Sequence, residues 1–315
     1  MSAVAHLLTD GRLHLNHGPM DLILQAWGAP DAVQAAYARA SRRFAGLLDE
    51  LVAELPALRS PDALPFDSPV ALAMGQAVAA FRPAFITPMA AVAGAVADEI
   101  LTHLAGEGVT RAFVNNGGDI ALYLTPGQSL TAAIAARPGL PDRLTIRHED
   151  PVRGIATSGW GGRSFSLGIA DAATVLAATA AKADAAATII ANAVNLRGHP
   201  AITRRPATDI KADSDLCATL VTTAVGPLTP AEVARALASG LAAARKAQSR
   251  SLIDSAALFL QGDCTLLTPR TRAPHFLSFN IPGVPGAAPP AGRRRRRRNL
   301  PLKGSCPCPI SACVN

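Results

Sequence analysis

The sequence has 315 residues, of which 49% are hydrophobic and only 4% aromatic, so the chain is long enough to bury a large core. Its net charge of +7 is unevenly placed: residues 271–315 hold eight positive charges and no acidic residue, which leaves residues 1–270 at −1. This near-neutral body argues against a domain that binds nucleic acid or another polyanion.

The sequence predicts neither a membrane span nor a leader. The longest weakly polar run, 84–97, is broken by Thr87-Pro88 and is shorter than the roughly 20 residues that a spanning helix needs. The start of the chain lacks a basic segment followed by an apolar one, so no signal peptide is predicted. Cys217 and Cys264 are the only cysteines before residue 271 and form no ligand-like pair, which predicts a reduced, cytoplasmic protein.

The first elements are a predicted hairpin and a long helix. Asp10-Gly11 suits a tight turn within residues 6–16 because it tolerates positive φ, and an extended pattern resumes at Asp21. Apolar residues at helical spacing predict a helix over 31–55. His17 and Asp21 have two open interpretations, as ligand-facing residues or as the rim of the hairpin.

The middle of the chain combines helix starts with strands. Ser68-Pro69 and Thr87-Pro88 are helix-start signals, and the second helix is predicted to run to about Leu104. A strand, a Gly-Gly break and a second strand follow within 112–124. Further strands are predicted near 129–137 and 144–147.

The second half predicts a similar mixture of elements. They are a strand at 174–177, a helix at 178–194, a polar loop at 197–215, a strand at 217–225, a helix at 229–248 and a last strand at 255–260. Strands and helices mixed in this way, with hairpins at the front, favour an α+β fold, a mixed sheet packed by helices. We expect one domain over 1–270, without a dinucleotide or P-loop phosphate motif.

The composition changes abruptly at residue 271 to Pro, Gly and Arg. Six adjacent arginines, Arg293–Arg298, repel one another and predict disorder. Three interpretations compete: an arm that binds nucleic acid, a contact with anionic lipid, and a carboxyl end produced by a reading-frame shift. We favour the third, because the pattern of predicted strands and helices stops near Gly262 and the resemblance to known proteins described below ends there too.

One carboxylate and one hydroxyl occupy the same face of an otherwise apolar helix. Asp184 and Thr188 lie four residues apart, and hard cations such as Mg²⁺ take oxygen ligands of this kind. Taken alone, the pair is also typical of a capped or partly exposed helix start.

Two polar turns offer further binding groups. The first consists of Asn115, Asn116, Gly117, Gly118 and Asp119, where amides flank a glycine pair that allows close backbone approach. The second, Thr157-Ser158-Gly159 leading to Arg163, has the small polar composition of an anion-binding loop. A plain turn is the alternative for the first block.

The order of these blocks resembles a known superfamily. Asn-x-Gly-Gly-Asp at 115–119, Thr-Ser-Gly at 157–159 and Ala-Asp-Ala-x-x-Thr at 183–188 are similar to the ApbE-like flavin transferases (FAD:protein FMN transferases). Blocks at His17–Leu22, Thr87–Asp98 and Arg163–Gly168 place the chain nearer to the functionally uncharacterised branch of that superfamily. The resemblance covers about residues 5–262.

The resemblance implies a fold, a reaction and roles for residues. It implies an ApbE-like (T-fold-like), largely antiparallel sheet, a metal site of Asp119, Asp184 and Thr188, catalytic roles for the last two, and a flavin site in the polar turns. The implied reaction transfers FMN from FAD to a hydroxyl of an acceptor protein, with Mg²⁺ neutralising the pyrophosphate.

Two departures from the transferases raise an alternative function. Ala93 stands where the transferases carry a lysine before glycine, and residues 164–171 replace their His-x-x-Asp-Pro segment. Asp171 either substitutes for the missing carboxylate or forms a turn. The alternative function is a carrier that binds flavin or nucleotide without catalysis. Neither the acceptor nor the oligomeric state follows from the sequence.

Overall fold

A computed structural model describes residues 2–134, 142–270 and 277–278 of the chain. The strands are β1 (Val4–Leu7), β2 (Leu13–His17), β3 (Met20–Gly28), β4 (Val109–Asn116), β5 (Asp119–Leu124), β6 (Ser129–Ile134), β7 (Asp142–Arg147), β8 (Gly154–Ser158), β9 (Ala172–Ala177), β10 (Ile202–Pro206), β11 (Leu220–Val225), β12 (Ser255–Leu260), β13 (Asp263–Leu267) and β14 (Leu277–Ser278). The helices are α1 (Pro30–Ala53), α2 (Leu55–Leu58), α3 (Pro69–Ala79), α4 (Val92–Leu104), α5 (Ala180–Ala193), α6 (Ala207–Ile210) and α7 (Pro230–Ser249).

A nine-stranded sheet organises the molecule. Its strands run in the order β1-β2-β3-β4-β5-β8-β9-β12-β13, and every neighbouring pair is antiparallel. The predicted α+β class with a largely antiparallel sheet packed by helices is therefore confirmed.

Helices cover one face of this sheet and a small second sheet covers part of the other. On the helical face α4 packs on β4 and β5, α5 on β8 and β9, and α7 on β12 and β13. Alternation along the strands separates the two faces: Val114 and Ala121 join the helical core, whereas Phe113 and Leu122 pack with Leu144 of the sheet β14-β7-β6. The α-helical face is the one that places the candidate site.

The buried face of α5 is built largely of alanine. Ala180, Ala183, Ala187 and Ala191 are among its fully buried residues, and their small side chains let α5 lie close to both the sheet and α4. None of the helices in the described parts of the chain is both long and apolar enough to cross a membrane.

The structure corrects several predicted boundaries. The predicted polar loop at 197–215 contains β10 and α6. The sequence of β10 is rich in arginine and threonine and did not predict a strand, but β10 pairs with β11 in a hairpin. The predicted strand at 217–225 begins only at Leu220, because Cys217 adopts a positive φ of 51° in the preceding turn. The strand β13 follows the predicted last strand through a turn at Gln261-Gly262.

Other predictions differ at their ends. The helix predicted from Thr87-Pro88 begins with a 3-10 turn, Pro88–Ala91, before α4. The strand predicted to reach residue 137 is described as far as Ile134, and the rest lies outside the described residues. Of the predicted tail at 271–315 only β14 is described, where it pairs with β7.

Candidate functional site

The helices α4 and α5 touch at their first turns. Gly94 has no side chain, and a Cβ there would overlap the carbonyl group of Ala180. This position therefore requires glycine for reasons of space. The contact brings the amino-terminal ends of two helices together on the buried face of the sheet.

Each of these helices receives a carboxylate from the other. The backbone N–H of Gly94 donates to Oδ2 of Asp184 at 3.1 Å. In return, the backbone N–H groups of Ala180 and Ala181 donate to the carboxylate of Asp98 at 3.0 and 2.8 Å. Helix starts carry unpaired N–H groups and a partial positive charge, so these contacts offset part of the cost of burying the two carboxylates. Asp184 thus caps α4 and not its own helix.

Asp119 enters the same region from the sheet. It directly follows the turn of the β4–β5 hairpin, where Gly117 and Gly118 have φ angles of +67° and +113°. Asn115 Oδ1 accepts from the N–H of Gly118 at 2.8 Å, and Asn116 donates to the carbonyl of Ala93 at 3.1 Å. The predicted glycine turn is therefore a hairpin fastened to the start of α4.

Asp119 is buried and held from the next strand of the sheet. Only 8% of its surface is exposed, and its Oδ1 accepts from the backbone N–H of Thr157 at 3.2 Å. Burial raises the pKa of Asp119 to about 7, against the opposing effects of the Thr157 N–H and the Arg163 guanidinium.

The pKa of Asp184 is raised by burial and, in addition, by two neighbouring carboxylates. Burial raises its pKa well above the usual range, and repulsion from Asp119 and from Asp98 raises it further. Burial also raises the pKa of Asp98. Asp119 and Asp184 are thus close enough to repel each other, and a bound cation or proton would relieve that repulsion.

One arginine lies at the mouth of this cluster. The guanidinium of Arg163 packs against Gly117, where any Cβ would overlap it, and its charge acts on Asp119. The side chain of Arg163 is exposed to solvent, whereas Asp119 is buried. Gly118, next to it, faces open space, since nothing lies within 4 Å of the position that a Cβ would take. The hairpin therefore combines a cation with room for a ligand.

The predicted anion-binding loop begins as a strand. Thr157 and Ser158 are the last residues of β8, and the Thr157 hydroxyl is 2.9 Å from that of Thr174 on β9. Gly159 packs against the backbone of Asp171 just beyond. This arrangement holds the Thr157 N–H rigidly in position to donate to Asp119.

Asp171 has a structural partner set. Its carboxylate accepts from Trp160 Nε1 at 3.1 Å and from the N–H of Gln261 at 2.5 Å. These contacts favour the predicted turn role over the role of a replacement ligand. Asp21 likewise pairs with His14 at 2.5 Å on the exposed hairpin.

Thr188 lies one turn after Asp184 on α5 and is half-buried. The two residues share a face of the helix, as the spacing predicts. Within the described residues no group of three or more His, Cys, Asp or Glu side chains is arranged to hold a metal. The candidate oxygen ligands for a cation stay those that the resemblance implies, Asp119, Asp184 and the Thr188 hydroxyl.

Sequence analysis missed the role of Asp98. The signal was present, because Asp98 directly follows the apolar run Ala95-Val96-Ala97 inside a helix, although Glu99 next to it made the position look like an exposed acidic pair. An acidic residue inside an apolar helix indicates a nearby positive group, here the start of α5.

Comparison with known proteins identifies a family and several relatives. A family model described as AbpE bacteria matches residues 5–266. A UPF0280 protein of Methanothermobacter thermautotrophicus is 37% identical over 154 residues, covering 44% of this chain and 56% of that protein. A UPF0280 protein of Methanocella arvoryzae is 34% identical over 156 residues, covering 48% and 63%. The chain therefore spans between half and two thirds of the length of these relatives.

A solved structure is also similar. It is the crystal structure of the Pseudomonas stutzeri flavinyl transferase ApbE in its apo form, with a TM-score of 0.44 and 12% sequence identity. The superposition covers 85% of this chain and 94% of that chain.

Proposed function

This chain belongs to the AbpE bacteria family, and from that membership we propose that its α4–α5 site binds Mg²⁺ together with a flavin or another pyrophosphate-bearing ligand. The membership confirms the ApbE-like resemblance of the sequence. The observation that carries the proposal is that Asp184 caps α4 at Gly94, while Asn116 fastens the hairpin of Asp119 to the same helix start and Gly118 faces open space beside them.

The residues of the site fit a hard cation. Asp119 and Asp184 supply carboxylate oxygens, and Thr188 supplies a neutral oxygen one turn away. Mg²⁺ commonly takes one or two protein carboxylates and completes its shell with water and ligand phosphates, which this small donor set would leave room for. Burial raises the pKa of both carboxylates, and the charge of Asp119 raises that of Asp184 further, so a cation would stabilise their charged forms.

The hairpin and the neighbouring arginine fit the phosphates of such a ligand. The turn at Gly117-Gly118 lets a phosphate approach the backbone closely, because no side chain intervenes at Gly118. The Gly118 N–H itself is engaged by Asn115, which fixes the shape of the turn. The Arg163 guanidinium supplies the positive charge and the forked donors that phosphate oxygens prefer. The other predicted residues would surround the phosphates as hydrogen-bond donors or would hold the glycine turn in shape; they are Thr157, Ser158, Asn115 and Asn116.

A transfer reaction is the fullest activity that we propose for this site. The bound Mg²⁺ would supply charge neutralisation of the pyrophosphate while a hydroxyl of an acceptor protein displaces AMP and becomes linked to FMN. Asp184 and Asp119 would hold the cation, and Arg163 would orient the phosphates. We propose the cytoplasm as the location, on the scarcity of cysteine in residues 1–270.

A carrier without catalysis is the second candidate function. Ala93 provides no cation at the start of α4, and its carbonyl is occupied by the side chain of Asn116. The site would then bind the ligand through the same cation and release it unchanged.

Titration of purified protein with FAD tests the binding step. We expect FAD to bind at least tenfold more tightly in Mg²⁺ than in EDTA, because the cation would neutralise the negative charge of the carboxylates and of the pyrophosphate. Equal affinity in both buffers would exclude a role of the cation in FAD binding. Mass spectrometry for co-purifying flavin or nucleotide would identify a tightly held natural ligand.

Incubation with FAD, Mg²⁺ and a Ser/Thr-rich acceptor peptide separates the two candidates. A mass increase of the peptide by one FMN, with release of AMP, would establish transfer. Mg²⁺-dependent binding with an unmodified peptide would favour the carrier. An Asp184→Asn sample is the matched control, since it should lose both activities without a change of shape.

A further inference from the structure

A second charged region lies at the opposite end of α5 from Asp184. An open cleft of about 410 Å³ is lined by residues 195–200, which follow α5, and by Arg235 and Ser239 of α7. Its size is within the range of small-ligand sites. With a rise of 1.5 Å per residue, its nearest residue, Asn195, is about 16 Å along the helix from Asp184. One phosphate group cannot reach both places.

The cleft is lined by two arginines without acidic partners. Arg197 comes from the turn after α5, whereas Arg235 comes from the second turn of α7. Among the ion pairs of the described residues neither guanidinium has a carboxylate partner. Two positive charges on the lining of one cleft would both attract an anion bound between them.

The acidic residue next to the cleft is already engaged. Glu232 accepts from His199 Nε2 at 2.9 Å and from the N–H and hydroxyl of Thr229 at 2.8 and 2.9 Å. Its carboxylate is therefore turned to the start of α7 and to His199, and these partners lower its pKa to about 2. It stays negatively charged but is not directed at the arginines.

A third arginine adds positive charge behind the wall of the cleft. Arg204 of β10 donates from Nη2 to Oδ1 of Asn195 at 2.6 Å, and this is its hydrogen bond within the described chain. Burial lowers the pKa of Arg204. Asn195 is fixed from the other side as well, since its Nδ2 donates to the carbonyl of Leu167 at 2.7 Å. The wall that carries Asn195 is therefore held rigidly by a partly buried cation.

We propose that this cleft is a binding site for the phosphate group of a small molecule, distinct from the α4–α5 site. Arg197 and Arg235 contact the phosphate from two sides. Ser239 and His199 also line the cleft, but the Ser239 hydroxyl donates to the carbonyl of Arg235 at 3.2 Å and both ring nitrogens of His199 are engaged, so the two arginines carry the binding. Guanidinium groups suit phosphate because their planar forks donate two parallel hydrogen bonds. Arg204 strengthens the positive potential and positions Asn195.

Solvated surface arginines are the alternative explanation. If Arg197 and Arg235 are only solvated surface residues, they should bind phosphate no better than any other exposed arginine of the protein. The chain supplies a matched comparison in Arg205, which is exposed and adjacent to Arg204 on β10 but does not line the cleft.

Phosphate binding without divalent cations tests the proposal. Inorganic phosphate would be titrated in EDTA at low salt into the full chain and followed by ³¹P NMR. We expect Arg197→Gln and Arg235→Gln each to weaken phosphate binding about tenfold, the usual result of losing a charged hydrogen-bond partner. Arg205→Gln should stay within about twofold of wild type. Melting temperatures should not change, because both cleft arginines are exposed.

Two further variants separate this site from the proposed function. Asp184→Asn should leave phosphate binding in EDTA unchanged, and the two cleft variants should leave Mg²⁺-dependent FAD binding unchanged. The proposal is overturned if wild type and the Arg197→Gln/Arg235→Gln double variant bind phosphate equally. It is also overturned if Arg163→Gln alone removes the binding, since the phosphate would then sit at the glycine hairpin.

Discussion

Two charge clusters on neighbouring faces of α4 are balanced in opposite ways. On the side of α1, Arg43 donates to Glu50 at 2.6 and 2.7 Å and to Glu99 at 2.6 Å. Asp98, the residue before Glu99, lies on the side of α4 that faces α5. It belongs to a second cluster, whose other carboxylates are Asp184 and Asp119. In the first cluster both glutamates bind the same guanidinium. In the second cluster the carboxylates have no cation between them and accept hydrogen bonds from backbone N–H groups.

The difference separates charges that balance one another from charges that do not, and the unbalanced carboxylates are the ones for which we propose a cation. The two glutamates raise the pKa of Arg43, so its cluster is stabilised in the charged form. The pKa values of Asp119 and Asp184 are raised, so their charged forms are the unfavourable ones. A structural cluster compensates its own charge, whereas a site that binds a cation keeps negative charge unbalanced until the cation arrives.

Replacing one residue in each cluster should change Mg²⁺ affinity in one variant and stability in the other, and these are the largest effects that we expect. Asp184→Asn keeps the shape and an oxygen acceptor for Gly94 while removing the charge, so Mg²⁺ affinity should fall about 100-fold or more. Arg43→Gln should leave that affinity within about twofold and lower the stability by about 1–2 kcal/mol. The measurement is calorimetric titration of Mg²⁺ with FAD present, alongside thermal melts.

The reverse pattern would contradict the comparison. If Asp184→Asn lowers the melting temperature and leaves metal affinity unchanged, Asp184 is a helix cap and nothing more. If Arg43→Gln impairs Mg²⁺ binding as strongly as stability, the two clusters are not independent.

The pH dependence of stability should show the same contrast at intermediate size. A carboxyl whose folded pKa is raised stabilises the fold fully below its unfolded pKa of 3.8, and that contribution is lost as pH rises through about 7, the value for Asp119. In metal-free protein the melting temperature should therefore fall on the order of 5 °C more between pH 5 and pH 8 than in an Asp119→Asn variant.

Mg²⁺ supplies the control for that titration. The cation would bind the charged carboxylates and should remove most of the difference between the two proteins at pH 8. The decrease caused by Arg43→Gln should be equal at pH 5 and pH 8, because the guanidinium stays charged. A wild-type curve parallel to that of Asp119→Asn would show that Asp119 is not strained in the folded protein.

The sequence predicted the fold well where a local signal was strong. Asp10-Gly11 and Gly117-Gly118 both mark hairpins, and Ser68 and Thr229 both cap helices as predicted. It failed where pairing overrides composition: the Arg- and Thr-rich strand β10 is polar because its hairpin with β11 lies outside the main sheet. Such a strand has no apolar alternation by which to recognise it.

The sequence could place the candidate residues on helices and turns, but it could not predict their contacts. The i,i+4 spacing of Asp184 and Thr188 indicated a shared face of α5, and the helix has that face. The capping of α4 by Asp184, and of α5 by Asp98, depends on two helices 80 residues apart in sequence meeting at Gly94. No local pattern contains that information, because it arises only when both helices pack on the sheet.

The smallest expected effect, and the finest test of the contrast, concerns Thr188. Thr188→Val keeps the β-branched shape and nearly the same helix propensity while removing one oxygen. A neutral hydroxyl contributes less to a hard cation than a carboxylate does, so we expect Mg²⁺ affinity to fall about three- to tenfold, well short of the effect of Asp184→Asn. Thr188→Ser retains the hydroxyl and should bind Mg²⁺ like wild type, in the same calorimetric titration. If the valine and serine variants are indistinguishable, the hydroxyl is no ligand, and the cation is held by Asp119 and Asp184 without help from the next turn of α5.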